Sequence, residues 1–332
     1  MRWRRLLLKA RELFLFRMKI FNRINSKDLA LFAWYGGLAA LAAYVLLWWQ
    51  FWTDLPSHGE MFASYKSILE GTYDVPYQYR YLAFLLPELI RRITGLSLQT
   101  SEAINRALWL WACALAFHVY LRRWFGRSGA IIGVLGFFGA APLVILQTSF
   151  APSDIPTVFF QILAFIALRN RRYVHLLWIA PIGIMFRETM LYVFPVWVVM
   201  FLFEKDRRAQ LPYIIGATLI TLIVYGGIRF YFGFRFYDID TLPQNLQDSR
   251  SFIRPLVLFG IFWIIAWINF KTAPAFLKYA SVLVPLVIVA VFLYGYAKDM
   301  RLWLPLIPVI FPLGLRFIFS ENDLPSAIQN QL

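Results

Sequence analysis

Residues 53–80, TDLPSHGEMFASYKSILEGTYDVPYQYR, form a long polar segment between strongly apolar runs. The segment carries Asp54, His58, Glu60, Glu70 and Asp74 together with Tyr65, Tyr73, Tyr77 and Tyr79. Farther along, Asp154, Arg187, Glu188, Asp238, Asp240, Asp299 and Arg301 fall at the ends of apolar runs or in polar loops. Charges at such positions are costly unless they are paired or line a cavity. If the intervening runs alternate across a membrane as loop charge dictates, Asp54, Glu60 and these seven residues share one face and predict a polar cleft. Each also has a plainer reading. Asp54 can simply end the first span, and Glu60 can complete an S-x-x-E capping box with Ser57. Asp154, in PSDIP, can belong to a helix N-terminus. Arg187 and Glu188 can brace a helical hairpin, and Asp154 on the same face can be the partner of Arg187.

Composition sets the elements that must hold these groups. With 60% hydrophobic and only 15% charged residues, the chain cannot cover a soluble globular surface. A net charge of +15 would suggest nucleic acid in a soluble protein, but here the basic residues cluster in short loops, the positive-inside pattern. Nucleic acid is therefore not an expected partner. Cys113 is the single cysteine, which leaves neither a disulfide framework nor a cysteine metal site. His118 and His175 are isolated within apolar sequence, as hydrogen-bonded or snorkelling histidines would be, and His58 alone lies near the polar segment.

The pattern predicts an all-α polytopic bundle of about ten spans, with interfacial helices in the first outer loop. Residues 1–28 read as a basic amphipathic cytoplasmic segment, 29–319 as the bundle and 320–332 as a cytoplasmic tail. Residues 29–51 are long enough to cross a hydrocarbon core of roughly 30 Å. An interfacial helix is expected over 58–70 with Gly71 as its stop, and 81–94 as a surface or re-entrant helix. Further spans are expected over 104–121, 129–148, 155–168, 211–232, 256–270, 281–297 and 302–319. The run 173–203 could be one helix, but that would place RNRR (169–172) and EKDRR (204–208) on opposite sides. Two short helices meeting outside at Arg187 and Glu188 keep both clusters inside.

Three stretches resemble the GT-C superfamily of membrane glycosyltransferases. The first is a span followed outside by an acidic residue, a Tyr-bearing helix ending in Gly, and PYQYRYLAFLLP. The second runs from SDIPTVFF through RNRR to FRETMLYVFPVWVV, with an outer acidic residue, a basic inner turn and an outer Arg-Glu. The third is KDMRLWLPLIPVI, a charged residue and Arg before a Pro-x-x-Pro span. The resemblance covers most of 29–319. Many members carry Asp or Asp-Glu at the head of the first outer helix, where this chain has Ser57 and His58 flanked by Asp54 and Glu60.

The resemblance implies transfer of a sugar, with inversion, from a polyprenyl-phosphate carrier to an extracytoplasmic glycan, lipid or protein acceptor. It places the chain in a membrane of the bacterial inner (plasma) type with both termini cytoplasmic. Asp54 or Glu60 would be the general base. Arg80, Arg187 or Arg301 would hold the phosphate, Arg being suited to bidentate contact. His58, Asp154 and Glu188 would complete the substrate site, and Tyr77 and Tyr79 would stack on sugar faces or anchor at the interface. No cofactor is required, a divalent cation being the one candidate. Two other classes fit the same composition: a lipid or glycan flippase or transporter, and a non-catalytic scaffold of an envelope complex. A transporter should show charges or broken helices reaching the inner side, and the inner halves of these runs are nearly uncharged.

Overall fold

The computed structural model describes residues 26–52, 65–73, 76–145, 152–205, 207–235 and 241–319. The expected basic segment before residue 26, the loop holding Asp54, His58 and Glu60, Asp74, the Asp238–Asp240 pair and the tail from 320 lie outside the described residues. All regular structure among the described residues is helical.

The helices follow the apolar runs. They are α1 Ser26–Trp52, α2 Tyr81–Thr94, α3 Leu98–Leu121, α4 Arg127–Ile145, α5 Asp154–Arg169, α6 Leu176–Ile184, α7 Val193–Phe203 and α8 Arg207–Phe232. The second half adds α9 Leu242–Gln247, α10 Arg250–Phe259, α11 Phe262–Asn269, α12 Ala275–Ala280, α13 Leu283–Tyr294 and α14 Ile307–Ile318. A helical turn at 65–70 precedes α2, and 3-10 segments occupy Tyr77–Tyr79, Tyr173–His175, Glu188–Tyr192 and Met300–Leu306. Five described helices or joined helices are long and apolar enough to cross a membrane: Asp28–Leu46, Leu98–Leu121, Arg207–Phe232, Ala275–Tyr294 and Met300–Ile318. Three further apolar helices are shorter, Arg127–Ala141, Tyr173–Ile184 and Glu188–Phe203.

The expected span over 256–270 is not one helix. α10 and α11 meet at a 70° bend, because Gly260 takes φ +51° and ψ −133°, a conformation open to glycine and to few other residues. The run 173–203 is likewise interrupted, and Arg187 is extended between α6 and the Glu188–Tyr192 turn.

α3 and α5 form the centre. α1, α2 and α4 pack on α3, α6 packs on α5, and α8 covers α6. On the other side α14 packs on α4 and α11 on α14. Small residues bring these helices close. A Cβ on Gly136 would come within 2.5 Å of Phe311, and one on Gly314 within 2.2 Å of Phe262, so bare backbone is what fits there.

Ion pairs sort the two ends. Arg127 meets Asp28 at 3.5 Å, Arg169 donates to the Arg123 carbonyl at 3.3 Å, and Arg171 reaches Glu204 at 3.9 Å. The basic clusters 122–127, 169–172 and 204–208 therefore gather at one end of the bundle. The helices that leave this end carry the chain to Arg80, Asp154, Arg187 and Arg301 at the other.

Candidate functional site

Four elements deliver the charged groups of the second end. Arg80 sits between the Tyr77–Tyr79 turn and α2, Asp154 opens α5, Arg187 and Glu188 follow the break after α6, and Asp299 and Arg301 open the Met300–Leu306 segment. Each lies where a helix starts or is broken, so its side chain projects across the end of the bundle. Pro156 in the first turn of α5 and Pro308 in the first turn of α14 suit helix beginnings, since a first turn needs no N–H from them.

The groups form three ion pairs. Arg187 pairs with Asp154, and both are almost wholly buried. Arg80 donates through Nε and Nη2 to Glu188 Oε2, each at 3.3 Å. Arg301 Nε donates to Asp299 Oδ2 at 2.5 Å. Tyr77 joins them: Arg301 Nη2 donates to its hydroxyl at 3.1 Å, and the Arg80 guanidinium lies 5.2 Å from its ring centre. Arg187 also feels the charges of Arg80, Arg301 and Glu188, and Arg301 that of Asp154, so the pairs constitute one electrostatic unit. Phe186, next in sequence to Arg187, packs against Trp109 at 5.2 Å and Phe160 at 5.5 Å.

The pairing does not exhaust the polar atoms. Arg187 Nε, Arg301 Nη1, Asp154 Oδ2 and Glu188 Oε1 are buried without a hydrogen-bond partner among the described residues. Two donors and two acceptors are thus left beside one another. Buried polar atoms in this state are rare and costly, and a ligand bearing both anionic oxygens and hydroxyls would satisfy them.

The sequence expectations are met unevenly. The structure brings Tyr77, Arg80, Asp154, Arg187, Glu188 and Arg301 together. Arg187, for which a phosphate was the expected anion and Asp154 the rival partner, is paired with Asp154. Tyr79 is used differently from a sugar platform: its hydroxyl donates to the Gly233 carbonyl at 2.7 Å and accepts from the Arg235 N–H at 2.9 Å, and Arg229 covers its ring at 4.2 Å. Asp54, His58 and Glu60 lie outside the described residues. His118 accepts or donates at Nδ1 to the Tyr35 hydroxyl at 3.0 Å, a buried structural contact. No group of three His, Cys, Asp or Glu side chains able to hold a metal occurs among the described residues.

Sequence reasoning missed a neighbouring buried set. Glu102 Oε1 accepts from Arg106 Nε at 2.6 Å while its Oε2 accepts from the Tyr65 hydroxyl at 2.7 Å. This ties the 65–70 turn to the first half of α3. It also missed Gln161, which donates to the Pro305 carbonyl at 2.9 Å and links α5 to the segment bearing Arg301. The Glu–Arg spacing of four was a signal, but on sequence alone it reads as an exposed helix pair.

Searches of protein-family models, curated proteins and solved structures return no match to this chain.

Proposed function

We propose that the chain is a membrane glycosyltransferase that moves a sugar from a polyprenyl-phosphate carrier to an extracytoplasmic acceptor, working in a bundle of about ten spans with both termini cytoplasmic. The observation that carries this reading is the convergence of three arginines and Tyr77 at one end of the bundle, with unpartnered donors on Arg187 and Arg301 next to unpartnered acceptors on Asp154 and Glu188. A sugar phosphate offers both complements. Phosphate oxygens would accept from the guanidiniums, and sugar hydroxyls would donate to the carboxylates.

In this reading the acceptor hydroxyl attacks the anomeric carbon as Asp54 or Glu60 takes its proton. The bond from the anomeric carbon to the phosphate oxygen breaks, and Arg187 and Arg301 hold the charge that collects on the departing phosphate. Arg187 is buried and Arg301 nearly so, which strengthens each contact. A membrane of the bacterial inner type suits the carrier, and the acceptor would be a glycan, a lipid or a protein.

The test is transfer from a radiolabelled polyprenyl-phosphate sugar in proteoliposomes holding the purified chain and a membrane extract as acceptor source. Label should move only when the carrier phosphate is present, and Arg301→Gln should abolish the movement while the protein stays folded. A folded protein that neither binds nor consumes the carrier would overturn the proposal.

A further inference from the structure

Far from the arginine cluster, a groove of about 420 Å³ opens between helices α7, α11, α12, α13 and α14. Its walls are apolar, with Val199, Trp263, Trp267, Phe270, Val284 and Leu313 contributed by four different helices. Lys278 and Ser281 are the two hydrophilic side chains on its lining. The Ser281 hydroxyl donates to its own helix at the Leu277 carbonyl, 2.7 Å away. Its lone pairs stay available, but it brings no charge. Lys278 is exposed and makes no ion pair among the described residues. The sequence holds no Asp or Glu from 249 to 298, whereas Lys271 and Lys278 fall within that stretch and Arg316 follows at the same end of α14. A groove with oily walls and an uncompensated cation at its rim is complementary to an amphiphile with an anionic head.

We propose that this groove binds one anionic phospholipid, its acyl chain lying between α11 and α13 and its phosphate meeting the Lys278 ammonium. The groove belongs to the basic end of the bundle. Lys278 stands at the start of the 20-residue run Ala275–Tyr294, roughly 30 Å long by helical rise, and Arg301 follows the far end of that run. A carrier whose phosphate reaches Arg301 or Arg187 cannot also place that phosphate at Lys278. The leaflet next to basic loops is the one enriched in anionic lipid. Trp267, 82% exposed, stands at the rim, where an indole suits the boundary between acyl chain and headgroup. The inference requires only that the bundle sits in a membrane and is independent of any sugar-transfer activity.

Native mass spectrometry of the purified full chain tests it, with phosphatidylglycerol and phosphatidylcholine of identical acyl chains titrated separately into the detergent-solubilised protein. One phosphatidylglycerol per chain should survive delipidation, held about fivefold more strongly than phosphatidylcholine, the worth of one basic residue at an anionic headgroup. Lys278→Gln should bring the two lipids level, and Lys278→Arg should preserve the difference. Lys278 is exposed, so both variants should fold. Ala266→Trp, which fills the groove, should reduce both lipids, with circular dichroism confirming that the helices remain. Equal retention of the two lipids by the unaltered chain would overturn the proposal. So would preference unchanged in Lys278→Gln, or displacement of the retained phosphatidylglycerol by a polyprenyl phosphate.

Discussion

Arg187 and Asp154 show how a buried ion pair constrains substitution. Both are shut away from solvent, so removing Asp154 strands a guanidinium where little can solvate it. Asp154→Leu should cost about 3–5 kcal/mol, and the double change with Arg187→Met should recover most of that loss. Thermal unfolding in detergent measures both, and a double variant that loses the sum of the two single losses would show that the pair is not coupled. The double variant should fold and yet fail to bind a polyprenyl phosphate. Under the proposed function, Asp54→Asn should lower transfer by about two to four orders of magnitude if Asp54 is the base. Glu60→Gln should then cost only about 1 kcal/mol of helix capping, and the reverse pattern in a transfer assay would assign the proton to Glu60. The charges of the cluster were legible in the sequence because each interrupts an apolar run. Their partners were legible only in part: the shared face made Asp154 a rival partner for Arg187, which the structure bears out, but nothing in the sequence joined Arg80 to Glu188, and the Glu102–Arg106 spacing is that of an ordinary exposed helix pair.

At the level of elements, α2 offers a test by pH. Glu88 accepts from Arg91 at 2.6 Å and 2.8 Å and from Arg92 at 2.7 Å. Those bonds, first of all the one from Arg91, hold its carboxyl down to about 2. A folded-state value below the unfolded one means that the stabilisation is complete above about 4.5 and is lost as pH falls toward 2. Glu88→Gln should remove this acid sensitivity, as unfolding midpoints measured across that window would show. Gly71, the expected stop of the interfacial helix, does take φ +77°, and a Cβ there would meet Phe232 at 2.8 Å. Gly71→Ala should therefore cost on the order of 1–2 kcal/mol, visible as a lower melting temperature. The bend after α10 was not legible: Gly260 lies within a run whose hydropathy alone reads as one helix, and hydropathy does not record a backbone turn. The break before Glu188 was legible because a second signal, the basic clusters at 169–172 and 204–208, argued against a single helix.

For the whole molecule, the gathering of the basic loops at one end turns sidedness into a single binary question. Single cysteines at 188 and at the exposed position 72 should react with an impermeant reagent from the outer side of intact cells, and cysteines at 126 and 170 only after permeabilisation. Labelling of position 188 from the cytoplasmic side alone would invert the arrangement and remove the proposed site from the carrier's reach. The number of crossings was less legible than their order, because the apolar helices Arg127–Ala141, Tyr173–Ile184 and Glu188–Phe203 are too short to be counted as spans by length alone.

One contact extends this reasoning to the membrane itself. α8 has 26 residues, and its apolar part from 211 to 232 is roughly 33 Å long against a hydrocarbon core of roughly 30 Å. It packs on α6, yet much of its surface is open, Phe230 and Tyr231 being 81% and 82% exposed, so a thinner bilayer would favour a greater lean. The end of the same helix is held by Tyr79, through Gly233, Arg235 and Arg229, and the next residue after Tyr79 is Arg80 of the cluster. A change in the lean of α8 would therefore pull on the residue beside that guanidinium. Carrier affinity measured in bilayers of graded acyl-chain length should pass through a maximum, and Tyr79→Phe, which loosens the hold on the helix end, should flatten it.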